Sequence, residues 1–132
     1  MSSSSSSSCA KVVTKVTLSG AGSTIINGVY ALRPPSLIPA AFDFVCKQHR
    51  WNTKSMWQQL NGDSGSWWEA DNGSYIYLNQ GDGKWWIDSG ETGLGLYIST
   101  ARNNERVGSP PLEGWVTLTD GELPLPSLSF DD

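Results

Sequence analysis

Residues 65–99, GSWWEADNGSYIYLNQGDGKWWIDSGETGLGLYIS, leave this chain little choice of fold. They hold four of the seven Trp and three of the four Tyr, cut into short runs by Gly, Asn and Asp. Trp67-Trp68-Glu69-Ala70, Tyr75-Ile76-Tyr77-Leu78, Lys84-Trp85-Trp86-Ile87 and residues 94–99 are rich in the ring-bearing and branched side chains that suit a pleated, half-buried surface. Between them, Asp71-Asn72-Gly73, Gly81-Asp82-Gly83 and a Gly-rich break supply residues that tolerate the positive φ of tight hairpin turns. Strand and turn repeated at this spacing predict an antiparallel meander.

The flanking segments extend it. Lys11-Val12-Val13-Thr14-Lys15-Val16-Thr17-Leu18 is β-branched and reads as the first strand, with Val12, Thr14 and Val16 on one face. Asn27-Gly28 is a type I′ hairpin signal between Ile25-Ile26 and the strand Val29-Tyr30-Ala31-Leu32, which Pro34-Pro35 ends. Phe42-Asp43-Phe44-Val45-Cys46-Lys47 alternates and is read as a strand, and residues 48–55 as a polar loop carrying His49, Arg50 and Trp51. Met56-Trp57-Gln58-Gln59-Leu60 is read as a strand running into an Asn61-Gly62-Asp63 turn. A short helix over residues 53–60, capped by Thr53, is the competing reading. Residues 101–114 read as a long loop, residues 115–119 as the last strand and residues 123–130 as an extended tail whose alternate Leu residues lie along the domain.

The expectation is therefore an all-β fold with little or no helix: one antiparallel meander of about seven to nine short strands, built as a curved sheet, small barrel or sandwich. A disordered Ser-rich N-terminus covers residues 1–10, the β domain residues 11–122, and a Leu/Pro tail residues 123–132. The expected core is Val12, Val16, Tyr30, Phe42, Phe44, Tyr75, Tyr77, Trp85, Ile87, Leu96, Ile98, Val116 and Leu118.

Composition narrows the function. A formal charge of −4, with scattered basic residues, argues against a nucleic-acid partner, whose phosphates require clustered Lys and Arg. No run approaches the roughly 20 apolar residues that span a bilayer, so no membrane insertion is expected. Residues 2–8 are serine and no apolar signal core follows. Residues 1–15 are Ser-rich and acid-free, faintly like a transit peptide, but lack Arg. The expected setting is intracellular and soluble, cytoplasmic by default. Cys9 and Cys46 make no metal motif. Two free thiols suit a reducing compartment, and a Cys9–Cys46 bridge pinning the N-terminus is the alternative.

Gly20-Ala21-Gly22, Asn27-Gly28-Val29-Tyr30, Tyr75-Ile76-Tyr77, Lys84-Trp85-Trp86-Ile87, Tyr97-Ile98 and Pro110-Pro111-Leu112-Glu113-Gly114-Trp115 recur together in this order. As a set they resemble a small β module found in large uncharacterised multidomain proteins of algae, protists and some invertebrates, over about residues 16–128. The resemblance implies a compact antiparallel β unit with a non-catalytic interaction role, and it brings no catalytic residues. The chain departs from the module's pattern in the long segment 34–65 and in the doubled Trp at 67/68 and 85/86.

Those doubled tryptophans are the main functional signal. Neighbours on a strand point to opposite faces, so Trp85 and Ile87 share one face, Trp86 and Asp88 the other, and Trp67 and Trp68 divide likewise. Rings left outside the core suit a partner polypeptide, chiefly through Trp68 and Trp86 with Trp51. They equally suit a lectin-like glycan site in which Asp71, Asn72, Asp82 and Asp88 take hydroxyls. If both faces of the sheet are covered, the rings are simply core. A small hydrolase would need two carboxyls about 5–9.5 Å apart across a cleft, a demand a domain this small rarely meets. His49, the only histidine, reads as a solvated loop residue in the basic stretch Lys47-Gln48-His49-Arg50. The Asp-rich turns lack the EF-hand spacing, and Gly90-Glu91-Thr92-Gly93-Leu94-Gly95 leads into a strand, not a helix that would cradle phosphate. No catalytic residue, metal or cofactor is assigned, and oligomeric state is open.

Overall fold

The computed structural model describes residues 13–62, 65–101 and 109–130. The serine run, Cys9, Val12, Asp63 and residues 102–108 of the loop expected over 101–114 lie outside the described residues. Eight strands form one curled antiparallel sheet, a half-barrel, in the order β7-β6-β5-β4-β3-β2-β1-β8. The strands are β1 (Lys15–Ser19), β2 (Gly28–Arg33), β3 (Trp67–Ala70), β4 (Tyr75–Asn79), β5 (Lys84–Asp88), β6 (Gly95–Ser99), β7 (Trp115–Thr117) and β8 (Ser127–Phe130). Each neighbour in the meander is its neighbour in sequence, except that β8 returns to lie beside β1.

The period-2 alternation of β3, β4 and β5 separates their side chains into two clusters. On the inner face Trp68, Ile76, Trp85 and Ile87 pack with Val16, Leu18, Tyr30, Tyr97, Trp115 and Leu128, so every strand contributes to one core. On the outer face Trp67, Tyr75 and Tyr77 pack with Ala41, Phe42, Cys46 and Trp57, with Trp86 against the cluster's edge. The register makes this necessary: Tyr77 lies opposite Trp86 and Tyr75 opposite Asp88, while Ile76 lies opposite Ile87 and Leu78 opposite Trp85. A shift between Ile87 and Asp88 places both Leu96 and Tyr97 in the inner core.

Two helices cover the outer face. Helix α1 (Ala40–Gln48) and helix α2 (Thr53–Asn61) replace the two strands expected from Phe42-Asp43-Phe44-Val45-Cys46-Lys47 and Met56-Trp57-Gln58-Gln59-Leu60. The physical reason is burial. An outer face carrying Trp67, Tyr75 and Tyr77 must be covered, and α1 presents Ala41, Phe42 and Cys46 to it at helical spacing. Phe44, expected in the core, is on the opposite side of α1 and 55% exposed. Asn52, not Thr53, caps α2: its Oδ1 accepts from the Ser55 backbone N–H at 3.0 Å.

Three smaller expectations also change. Asn27 has φ −70°, so Asn27-Gly28 is no type I′ turn; residues Thr24–Ile26 form a 3₁₀ turn instead. The Asn27 side chain clasps Ala21, accepting from its N–H at 3.1 Å and donating to its carbonyl at 3.3 Å. Residues 127–130, expected within an extended tail, are β8, pairing Leu18 with Leu128 and Val16 with Phe130. The preceding crossing fits closely against Gly22, whose N–H donates to the Pro124 carbonyl at 2.9 Å. A Cβ there would lie 2.1 Å from the Leu123 carbonyl oxygen. Val116, expected in the core, is an outward residue of β7 and 51% exposed, and Ile98 and Leu118 are half-buried.

Candidate binding surface

Helix α1 divides cleanly. Ala41, Phe42 and Cys46 face the sheet, and Ala40, Phe44, Lys47 and Gln48 face solvent at i, i+4, i+7 and i+8. The β5–β6 turn presses on its side, with Gly93 (φ +72°) so near Val45 and Ala41 that a Cβ would meet Val45 Cγ2 at 2.4 Å. Burial keeps the Cys46 thiol protonated, its pKa raised above the ordinary thiol range. The helix ends in a Schellman motif: Trp51 N–H donates to the Cys46 carbonyl at 2.8 Å and Arg50 N–H to that of Lys47 at 3.2 Å. Such an ending puts its penultimate residue in the left-handed region, and Arg50 sits there at φ 59°. Glycine is the usual occupant.

That turn delivers Trp51 to the surface. Its ring stacks on His49 at a centroid distance of 4.4 Å and an interplanar angle of 18°, and the residue is 49% exposed. The hairpin between the helices is fixed from below. Thr53 Oγ1 donates to Asp43 Oδ1 at 2.9 Å, and Lys47 Nζ pairs with Asp43 Oδ2 at 3.0 Å. Hydrogen bonding from Lys47, then from Thr53, holds the Asp43 carboxyl below the usual carboxylate range.

The other sequence-predicted site residues do not join this surface or one another as one site. Trp68 is fully buried in the inner core, its indole N–H donating to the Val13 carbonyl at 2.9 Å and its ring 5.9 Å from that of Trp85. It cannot dock a partner, because the inner face is the one the curled sheet closes around. Trp86 is half-buried on the outer face, and its Nε1 donates to Asp82 Oδ2 at 3.0 Å. Asp82 Oδ1 accepts from Lys84 N–H at 2.9 Å. Asp71 is exposed in the β3–β4 turn. Asn72 is committed: its Oδ1 accepts from Ser74 N–H at 3.0 Å and its Nδ2 donates to the Ile25 carbonyl.

Asp88 is the unexpected member. It is 4% exposed, and its Oδ1 has no hydrogen-bond partner. Opposite it in the register, the Tyr75 hydroxyl has none either. Burial raises the Asp88 carboxyl to about 7, with the polar Tyr75 hydroxyl beside it drawing it partly back. Burial, and then the Asp88 charge, push the Tyr75 and Tyr77 phenols well up.

Two open grooves flank these features. One, of about 360 Å³, lies between the 3₁₀ turn and the β5–β6 turn, with Glu91, Asp120 and Glu122 on its walls. The other, of about 430 Å³, runs between residues 35–38 and α2, beside Lys54 and Trp57. Among the described residues no group of His, Cys, Asp and Glu is arranged to hold a metal, and no helix is long and apolar enough to cross a membrane. No family model, curated protein or solved structure matches the chain.

From sequence, Phe44 is expected in the core, and Lys47 and Arg50 read as a basic stretch around His49 and not as part of a site. A signal was present: Ala41-Phe42 and Val45-Cys46 are apolar pairs four residues apart, and Asp43 and Lys47 have the spacing of a helical ion pair. Read at helical period, both would have turned Phe44 outward.

Proposed function

We propose that this protein is a non-catalytic interaction module that binds a partner polypeptide on the solvent side of α1 and the α1–α2 turn. The observation that carries the reading is Trp51. It is a large ring held at the surface by a backbone hydrogen bond to Cys46, stacked on His49, and half exposed. Pre-positioned aromatic anchors of this kind are what dominate protein interfaces, and a second exposed ring, Phe44, lies on the solvent side of α1. The exposed aromatics thus belong to the helical cover and not to a sheet face.

The glycan reading draws less support from the same geometry. Of its hydroxyl-binding set, Asp88 is buried, Asn72 is tied to Ser74 and Ile25, and Asp82 accepts from Lys84 and Trp86. A hydrolase reading draws less again, since Asp88 is sealed beneath the helices' face of the sheet.

The test is a Phe44→Ala, Trp51→Ala double variant compared with wild type in quantitative capture and on a glycan array. The expected outcome is loss of a discrete set of polypeptides, no array signal from either protein, and a melting temperature within a few degrees of wild type. Capture that survives the double change, or array binding that Trp86→Ala abolishes, contradicts the proposal.

A further inference from the structure

We infer that the partner segment is acidic and carries an apolar anchor. This rests on the polypeptide-binding reading and adds the partner's chemistry. Residues 40–61 hold three bases, Lys47, Arg50 and Lys54, against one acid, Asp43. The two helices and their turn therefore carry +2 in a chain of −4, leaving −6 elsewhere. All three bases are exposed. Lys47 is paired with Asp43, and Thr53 holds the same carboxylate, so Asp43 is neutralised by its own neighbours. Arg50 and Lys54 make no ion pair among the described residues.

Arg50 strengthens the argument independently. It is the one non-glycine residue at positive φ among the described residues. An arginine in the left-handed region costs stability that glycine at the end of a Schellman motif does not. Its side chain makes no bond within the described fold that would offset this cost. A local rule broken without internal compensation marks a position kept for something outside the fold. A guanidinium next in the chain to the exposed Trp51 suits a carboxylate met in bidentate fashion, and the exposed ring suits an apolar side chain flanked by such carboxylates. Two unpaired cations are too few for a nucleic-acid backbone or an anionic bilayer, which engage larger clusters of Lys and Arg.

The experiment selects binders to the full chain from a random-peptide phage library at low salt, then synthesises the enriched peptides. Each is measured against wild type, Trp51→Ala, and the Arg50→Gly, Lys54→Ser double variant. The expected result is enrichment of Asp/Glu runs around Phe, Trp or Leu. Affinity should fall roughly threefold to tenfold in the double variant and fall with added salt. Because Arg50→Gly relieves the backbone, the melting temperature of the double variant should stay level or rise while binding falls, a pairing that misfolding cannot produce. Enrichment of neutral or basic peptides that still require Trp51 overturns this inference and leaves the polypeptide reading standing. No enrichment at all overturns both. Unchanged affinity in the double variant overturns the inference, as does tight binding of a single-stranded RNA or of phosphatidylserine vesicles that the double variant loses.

Discussion

Asp88 shows how one residue sets a solution property of the whole. Its carboxyl is carried by β5 to the covered face of the sheet because the strand's period places it two residues beyond Trp86 and opposite Tyr75. Burial then favours the neutral acid, with a pKa of about 7 against 3.8 for the free side chain. The unfolded chain releases this proton near pH 4 and the folded chain holds it to about 7. Over that window the native state binds more protons, and stability falls as pH rises. A difference of that size is equivalent to up to about 4 kcal/mol of stability, fully lost above pH 7 and restored below pH 4. Asp43 has the opposite sign, with its contribution lost only as the pH falls below the ordinary carboxylate range. Asp88→Asn should therefore be at least as stable as wild type at pH 8, with a nearly flat stability profile from pH 5 to 8. Denaturant titrations across that range check it. A wild-type profile that is flat over the same window would contradict a buried neutral carboxyl.

Among the elements, β8 and the helices mark where residue pattern stops determining structure. Leu128 is buried against Leu18 in a segment whose prolines suggest a loose tail. As a strand beside β1 it completes the inner core, so Leu128→Ala should cost about 2–4 kcal/mol. Amide exchange in β1 should speed up with it, whereas a tail would show little change. The strands β3 to β6 were legible because rings alternate about Gly- and Asn-bearing turns, and the two faces of Trp67/Trp68 and Trp85/Trp86 follow from period 2 alone. The segment around Phe42 and Phe44 carries both a strand alternation (Phe42, Phe44, Cys46) and a helical spacing (Ala41-Phe42 with Val45-Cys46). The demand to cover Trp67, Tyr75 and Tyr77 selects the helix, and that demand lies in residues distant in sequence. The site suffered accordingly. Trp51 could be picked out as a ring in a polar, basic stretch, whereas Trp68 could not be placed inside until the closure of the sheet was known.

At the scale of the molecule, the curled sheet is a support with its two faces used differently. The inner face is closed by strands from both ends of the chain, and the outer face is roofed by α1 and α2. The roof carries the exposed rings and a local positive charge on an acidic protein. On the proposed reading this roof, and not the β3–β5 face or its turns, meets the partner. The most direct measurement places a photo-crosslinking amino acid singly at positions 44, 51, 71 and 86 of the full chain, irradiates each in lysate, and resolves the adducts by mass spectrometry. The expected result is the same discrete polypeptide adducts from positions 44 and 51 and none from 71 or 86. Adducts concentrated at 71 and 86, with none at 44 and 51, would place the interface on the sheet and contradict it.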